Sequence, residues 1–271
     1  MPSSPLPVQS AKGFRFIEAG PPSNRPPIVL LHGMLGGLSN WTRTITALNE
    51  ANYRVLAPVL PVYHLPLKES HVLGLVTYTH RFLETMEVDQ SVLVGNSLGG
   101  HVALLYALQY PRQVAAMVLS GASGIYEVEI GTSTMRRRDR EFIRERAAMT
   151  FYDPIHVTDE LVDDMLEIVN NRATALRLIR MARSTQQETV TDRLHALDIP
   201  TLLIWGRDDR ITPPDVAEEF LHRLPQAQLR FIDRCGHAPM IEHPELFNQY
   251  TLDFLSETIG TPRPVTSTER L

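Results

Sequence analysis

The segment that most constrains the fold is an apolar, β-branched run that ends in Gly-x-Ser-x-Gly and leads into an apolar helical pattern. Residues 92–100 read VLVGNSLGG. In a strand that turns sharply into a helix, the serine has strained backbone dihedrals, and a side chain at Gly95 or Gly99 would collide with the neighbouring strand or helix. We therefore expect Ser97 to stand out of a sheet at a helix N-terminus, where the helix dipole favours developing negative charge.

A serine hydroxyl is a weak nucleophile at neutral pH and needs a base and an acid from elsewhere in the chain. His237 lies in a glycine-marked loop after the short apolar strand 229–232. Asp209 lies in the loop after the buried-strand pattern 200–206, at the end of the strand where open α/β sheets place their chemistry. The chain order is therefore Ser, Asp, His.

This order, together with three further motifs, resembles the α/β-hydrolase family over residues 14–257. The motif IVLLHGMLGG at 28–37 resembles the family's oxyanion loop, and WGRDD at 205–209 resembles its acid loop, with the acid at Asp209. The stretch GHAPMIEHPE at 236–245 resembles the histidine loop and the start of the last helix. The resemblance implies an α/β-hydrolase fold, which is a mostly parallel central sheet with helices on both faces and an inserted helical lid.

The resemblance also implies a serine hydrolase that cleaves small-molecule carboxylic esters through an acyl-enzyme, using Ser97, His237 and Asp209. By analogy, the backbone N–H groups of Met34 and Leu98 form the oxyanion hole. No metal and no organic cofactor is needed. The alternatives are a carbon–carbon bond hydrolase, lactonase, amidase or perhydrolase with the same triad, or a ligand receptor with slow turnover.

Several residues bear on these alternatives. Asn96 resembles the residue before the nucleophile in carbon–carbon bond hydrolases, but those enzymes usually carry Trp where this chain has Ala238, and a glycine-richer oxyanion loop.

His243 competes with His237 as the base, and Asp208 competes with Asp209 as the acid. The remaining candidates are His32 as a brace of the oxyanion loop, His101 facing either the site or the sheet, and Cys235 as a buried spectator.

Composition is that of an ordinary globular enzyme, with 43% hydrophobic and 21% charged residues among 271. The net charge of −5 argues against nucleic acid and anionic membranes as partners. The single cysteine cannot form an intramolecular disulfide, and neither a signal-peptide pattern nor a membrane-length apolar run is present. We expect a cytoplasmic enzyme without a membrane span; the oligomeric state is left open.

The pattern along the chain predicts one domain over 1–271, with a core at about 14–124 and 189–257, a helical lid at about 125–188, and mobile tails at 1–12 and 260–271. Buried strands are predicted at 14–19, 53–58, 92–94, 115–121, 200–206 and 229–232, and helices at 41–51 and 73–86.

The predicted lid loses the strand pattern, and helical spacing replaces it. Asp159 is a candidate cap for a helix with Leu161, Met165 and Ile168 on one face. The lid methionines either line an acyl pocket or pack the lid on the core; they are Met135, Met149, Met165 and Met181. The lid arginines either bind a substrate carboxylate or form a solvated face; they are Arg136, Arg137, Arg138, Arg140, Arg144 and Arg146.

Overall fold

Eight strands form one sheet in the computed structural model, which describes residues 6–128 and 139–260. The strands are β1 Gln9–Ala11, β2 Phe14–Ala19, β3 Ile28–Leu31, β4 Val55–Pro58, β5 Ser91–Asn96, β6 Val114–Ser120, β7 Thr201–Gly206 and β8 Ala227–Ile232. Their order across the sheet is β1-β2-β4-β3-β5-β6-β7-β8. The pairs β1–β2 and β2–β4 are antiparallel, and all the other pairs are parallel.

Helices lie in the connections between the parallel strands, because a parallel pair needs a long crossover, and further helices follow β8. They are α1 Thr42–Glu50, α2 Val72–Thr85, α3 Leu98–Gln109, α4 Arg140–Ala148, α5 Asp159–Asn170, α6 Arg172–Gln187, α7 Pro214–Arg223, α8 Pro239–Glu242 and α9 Pro244–Thr258. Short 3₁₀ helices are found at Leu38–Trp41, Leu67–Glu69, Pro111–Gln113, Pro154–His156 and Thr191–Ala196.

Alternate residues of the central strands enter two separate hydrophobic cores, one on each face of the sheet. In β5, Leu93 belongs to the first core, whereas Val92 and Val94 belong to the second. Helices α2, α3 and α7 supply buried residues to the first core, and α1 and α9 supply them to the second. Strands buried on both faces read as continuous apolar runs, which is why the sequence predicted them. The predicted α/β-hydrolase architecture is confirmed.

Helices α4, α5 and α6 lie between β6 and β7, and we call residues 139–188 the inserted helical segment. Phe142 in α4 and Val162 in α5 are buried in the second core, and Met181 in α6 is buried in the first. Ser184 Oγ in α6 accepts a hydrogen bond of 2.9 Å from the backbone N–H of Val72 at the start of α2. The inserted helical segment is therefore packed on both cores.

Two local predictions were wrong. Residues 9–11 fall in the predicted N-terminal tail but form β1, an exposed strand at the edge of the sheet. Hydrogen bonds to β2, and not the burial of apolar side chains, hold this strand in place. The cap of α5 is Thr158, whose hydroxyl accepts a hydrogen bond from the N–H of Leu161 at 3.2 Å. Asp159 is instead the first helical residue, where its negative charge favours the helix dipole.

Some predicted features fall outside the described residues. These are residues 1–5 and 261–271 of the predicted tails, and Met135, Arg136, Arg137 and Arg138 of the predicted lid. Within residues 6–128 and 139–260, no helix combines the length and apolar character that crossing a bilayer requires.

Candidate active site

Ser97 occupies the sharp turn between β5 and α3. Its backbone dihedrals are φ 54° and ψ −121°, an unfavourable region for a residue with a side chain, at a cost of about 1–3 kcal/mol. Backbone hydrogen bonds hold the turn: Ser97 N–H donates to Ser120 O at 3.0 Å, and Ser97 O accepts from His101 N at 3.1 Å and from Ser123 N at 3.2 Å. The strain is thus fixed by β6 and α3.

The glycines on either side of Ser97 are required by close backbone approach. A Cβ at Gly95 would lie 2.5 Å from the carbonyl of Gly99, and a Cβ at Gly99 would lie 2.0 Å from Leu31 O. Both distances are too short for a real side chain, so the predicted collisions with helix and strand are confirmed.

Asp209 follows β7 and is 4% exposed. Its Oδ1 accepts hydrogen bonds from the N–H groups of Ile211 at 2.8 Å and Thr212 at 3.0 Å. Its Oδ2 accepts from Thr212 Oγ1 at 2.9 Å and from His237 Nδ1 at 2.8 Å. The indole N–H of Trp205 donates to Thr212 O at 2.8 Å and so fixes the same turn. These bonds hold the carboxylate in a single orientation toward His237.

His237 follows β8 and is 4% exposed. Its backbone N–H donates to Thr150 O of the inserted helical segment at 2.7 Å. A Cβ at Gly121, which has φ +52°, would lie 2.7 Å from His237 Nδ1, so only glycine leaves room for the ring. Nε2 is buried and has no hydrogen-bond partner among the described residues. The ring therefore has one nitrogen on Asp209 and the other unpaired.

The pKa of His237 is raised above its ordinary value. Burial alone lowers this pKa, because it disfavours the imidazolium. The charge of Asp209 and the hydrogen bond to it outweigh burial, and the charge of Glu127 adds to their effect. The site thus stabilises the proton that His237 would hold after taking it from a nucleophile.

The loop after β3 passes directly beside Ser97. A Cβ at Gly33 would lie 3.3 Å from both Ser97 Cβ and Asn96 Oδ1. His32 braces this loop, as predicted: its Nδ1–H donates to Gly33 O at 2.9 Å, while Nε2 accepts from Leu60 N at 3.0 Å. Burial lowers the pKa of His32, which favours the neutral ring that both bonds need. The hydroxyl of Tyr63 donates to Met34 O in the same loop.

The two predicted oxyanion donors lie at the edges of this region. Leu98 is the first residue of α3, and the first N–H groups of a helix have no intrahelical acceptor. Met34 follows Gly33, where an added Cβ would lie 3.3 Å from Ser97 Cβ. Their role as donors stays a prediction.

The rival acid and base do not meet. The backbone N–H of Asp208 donates to Cys235 O at 2.9 Å, and its carboxylate makes no hydrogen bond to a described residue. His243 Nε2–H donates to Arg234 O at 2.9 Å. Cys235 is buried, and burial raises the pKa of its thiol far above the ordinary value, as expected of a spectator. The structure pairs Asp209 with His237, and neither Asp208 nor His243 takes part in that pair.

The ring of His101 makes no hydrogen bond to Ser97 or Asp209, and its Nδ1 has no partner among the described residues. It is fully buried, and its Nε2–H donates to Glu188 O at 2.8 Å at the end of the inserted helical segment. Burial lowers the pKa of His101 to about 4, so the ring is neutral at physiological pH. Its position is that of a structural residue.

The arginines of the inserted helical segment differ in their partners. Arg140 and Arg144 both form ion pairs with Asp159, which supports the solvated-face alternative for these two. Arg146 differs: its guanidinium lies 4.8 Å from the centre of the Phe142 ring, and its Nε is buried without a partner among the described residues.

Sequence reasoning missed the side chain of Thr212 and the structural role of Asn96. Asn96 Nδ2 donates to Ser120 O and to His237 O, both at 3.0 Å, and thereby joins β5, β6 and the histidine loop. Thr212 donates its hydroxyl to Asp209 and lies 3.3 Å from His237 Nδ1. The signal for Thr212 was local, because an aspartate commonly accepts N–H groups two and three residues ahead. No local pattern marks the partners of Asn96.

The chain belongs to the alpha/beta hydrolase family, whose sequence profile matches residues 28–250. It is an enzyme of the serine hydrolase class.

Among its relatives, the chain is 31% identical over 255 residues to a 2-hydroxy-6-oxononadienedioate/2-hydroxy-6-oxononatrienedioate hydrolase of Paraburkholderia phymatum, covering 87% of this chain and 88% of that protein. It is 30% identical over 249 residues to a 2-hydroxy-6-oxo-6-phenylhexa-2,4-dienoate hydrolase of Burkholderia cepacia, covering 84% and 87%. A solved structure of an alpha/beta hydrolase enzyme from the metagenome of Mar Chica lagoon sediments, Morocco, is 34% identical, with a TM-score of 0.76 and coverage of 93% and 98%.

Proposed function

We propose that Ser97, His237 and Asp209 form a catalytic triad that hydrolyses small-molecule carboxylic esters through an acyl-enzyme. The observation that carries the proposal is the bond of 2.8 Å between His237 Nδ1 and Asp209 Oδ2, made by a buried ring whose Nε2 is unpaired, in the same site as a strained serine turn. Because Asp209 holds the proton on Nδ1, Nε2 is left as the basic nitrogen.

In this mechanism Ser97 Oγ attacks the ester carbonyl while its proton passes to His237 Nε2. The carbonyl oxygen becomes negative and accepts hydrogen bonds from the N–H groups of Leu98 and Met34. The C–O bond to the alcohol then breaks, and His237 returns the proton to the leaving alcohol. Water attacks the acyl-enzyme with His237 again as base, which releases the acid and restores Ser97.

We expect the charge of Glu127 to disfavour substrates that carry a carboxylate near His237. The Glu127 carboxylate is near enough to His237 to raise the pKa of the ring. A substrate carboxylate at the same place would be repelled by it. Ala238, in the position where carbon–carbon bond hydrolases usually carry Trp, supports ester hydrolysis over carbon–carbon bond hydrolysis.

Carbon–carbon bond hydrolysis is the second candidate, and two observations favour it. The relatives described above are named for hydrolysis of 2-hydroxy-6-oxo-dienoates, which carry a carboxylate. Arg146, whose Nη1 donates to Met149 Sδ at 3.6 Å but whose buried Nε has no partner among the described residues, is the side chain we propose to bind such a group. A cytoplasmic location stays a prediction of the sequence.

The first experiment tests the nucleophile. We expect Ser97→Ala to abolish hydrolysis of p-nitrophenyl esters and labelling by a fluorophosphonate, while the circular dichroism spectrum is unchanged. Thr42→Ala is a suitable control, since Thr42 begins α1 and donates only to Ser39 O. Labelling of the Ser97→Ala variant at another residue, with turnover near that of the wild type, would contradict the assignment.

A second experiment separates the two substrate classes. We expect kcat/KM to be higher for a neutral p-nitrophenyl ester than for a carboxylate-bearing ester of equal length or a 2-hydroxy-6-oxo-dienoate. Glu127→Gln should reduce the difference in kcat/KM between the neutral and the carboxylate-bearing substrates. If the dienoate is preferred by more than about tenfold and Arg146→Gln removes the preference, carbon–carbon bond hydrolysis is the function.

A further inference from the structure

Two side chains hold the loop that carries His237. They are Glu242, the last residue of α8, and His243, which follows it. Glu242 turns back and accepts a hydrogen bond on Oε1 from the backbone N–H of Gly236, at 2.7 Å. The next residue, His243, donates from Nε2 to Arg234 O. Arg234 has a positive φ of 51°, which non-glycine residues adopt only when neighbours hold them. Both tethers thus act on the strained turn directly before His237.

The same carboxylate also binds the inserted helical segment. Glu242 Oε2 accepts hydrogen bonds from the N–H groups of Tyr152 at 2.7 Å and Asp153 at 3.1 Å. These donors lie next to Thr150, whose carbonyl accepts the N–H of His237. One side chain therefore joins the backbone beside His237 to the backbone that His237 itself binds.

Close packing at Gly236 makes this connection rigid. A Cβ at Gly236 would lie 2.6 Å from Thr150 O and 2.9 Å from Tyr152 N, so the two backbones are in contact there. Hydrogen bonds to an ionised acceptor are about twice as strong as neutral ones. Three such bonds from N–H groups fix both backbones relative to each other.

We propose that Glu242 is a positioning residue that holds His237 in register with Ser97 and Asp209 by clamping the histidine loop to residues 150–153. This inference rests on the proposed triad and deepens it. Glu242 does not touch the reacting atoms; it acts through the backbone of residues 236 and 237. A displacement of about 1 Å in such a group can lower the rate about 100-fold.

The test compares Glu242→Gln with Glu245→Gln. Gln has the size of Glu but replaces one acceptor oxygen with a donor, which would face the N–H of Gly236 or those of Tyr152 and Asp153. Glu245 is three residues away, and its exposed carboxylate bonds Arg43 and its own backbone N–H but neither the histidine loop nor residues 150–153. We expect Glu242→Gln to lower kcat for the p-nitrophenyl ester about 100-fold with little change in KM. Glu245→Gln should match the wild type.

Two further readouts separate positioning from general stability. In Glu242→Gln, the downfield NMR signal of His237 Nδ1–H should shift or broaden, and the rate of fluorophosphonate labelling should fall with kcat. Glu242→Asp keeps the charge and should restore part of the activity. If Glu242→Gln does not fold, Glu242→Asp carries the test, and its kcat should lie below that of the wild type.

A folded Glu242→Gln variant with wild-type kcat, labelling rate and Nδ1–H signal would overturn the inference, as would a Glu242→Asp variant with unchanged kcat if that variant alone folds. Failure of the proposed triad is distinguishable, because the wild type itself would then not be labelled at Ser97. Failure of ester specificity alone is also distinguishable, because the wild type would then be labelled at Ser97 but prefer the dienoate.

Discussion

Asp209 is the most constrained polar residue of the site. Its two oxygens accept hydrogen bonds from the N–H groups of Ile211 and Thr212, from the hydroxyl of Thr212 and from His237. Asp209 is the acceptor in all four hydrogen bonds. A side chain with a donor in place of either oxygen therefore disturbs the imidazole or the turn.

The adjacent acids provide a direct test of this reasoning. We expect Asp209→Asn to lower kcat by a factor on the order of 10⁴, because the amide favours the wrong tautomer of His237. Asp208→Asn is the matched control and should cost far less, because its carboxylate bonds no described residue. Steady-state kinetics on both folded variants check the ranking, and the reverse order would move the acid to Asp208.

The raised pKa of His237 fixes the pH dependence. Since the neutral ring is the base, kcat/KM should rise with pH through an apparent pKa above the ordinary value of 6.5. Glu127→Gln removes a negative charge that favours the imidazolium, so the variant should reach full activity at lower pH. Asp164→Asn, on the exposed side of α5, should leave the profile unchanged. A Glu127→Gln profile that is unchanged or moved to higher pH would contradict this account.

The positions of Ser97, Asp209 and His237 after β5, β7 and β8 could be predicted because each has a local signature of strand, turn and glycine; their catalytic roles stay a proposal. The distant partners of Asn96 and Glu242 could not be predicted, since they are backbone groups of other segments of the chain. Asn96 binds the carbonyl of His237, and Glu242 binds N–H groups of residues 152 and 153. Every residue type offers nearly the same backbone groups, so the sequence does not show which distant backbone atom a side chain binds.

At the level of elements, hydrophobic patterning predicted the buried strands well and the polar boundaries less well. Strand β5 is buried along its whole length, and its apolar run is unmistakable. Strand β1 is exposed throughout and carries no such run. The predicted cap of α5 was one residue too late. Thr158 and Asp159 both have side chains that favour the cap position, and only the structure shows that the hydroxyl of Thr158 accepts the hydrogen bond.

The cap of α5 gives a stability prediction. Thr158→Ala leaves the N–H of Leu161 without its acceptor and should reduce the free energy of unfolding by about 1 kcal/mol. Thr158→Ser retains the hydroxyl and serves as the control. Urea denaturation of the three proteins measures the difference, and equal midpoints for Thr158→Ala and the wild type would show that the cap does not contribute.

At the scale of the whole molecule, the two cores are separated by the sheet but share the inserted helical segment. Each core contains one of the two tryptophans: Trp41 belongs to the second core and Trp205 to the first. Because α4 and α5 pack on one core and α6 on the other, loss of either core removes support from the same segment.

This arrangement predicts that both faces unfold together. In Trp41→Phe the fluorescence reports the first core, and in Trp205→Phe it reports the second. Within each variant we expect the fluorescence transition in urea to coincide with that of far-ultraviolet circular dichroism. A fluorescence midpoint that differs from the circular dichroism midpoint in either variant would mean that its core unfolds separately.

The pairing of β6 with β7 also has an evolutionary consequence. The two strands are direct neighbours, from Met117 opposite Thr201 to Ser120 opposite Ile204, although the inserted helical segment separates them in the chain. Such a junction lets evolution exchange the insert as a module without changing the register of the sheet. The exchange is not free, because a new module must still offer a carbonyl to His237 and N–H groups to Glu242. A chimera made by grafting should therefore keep residues 150–153 and vary the helices around them.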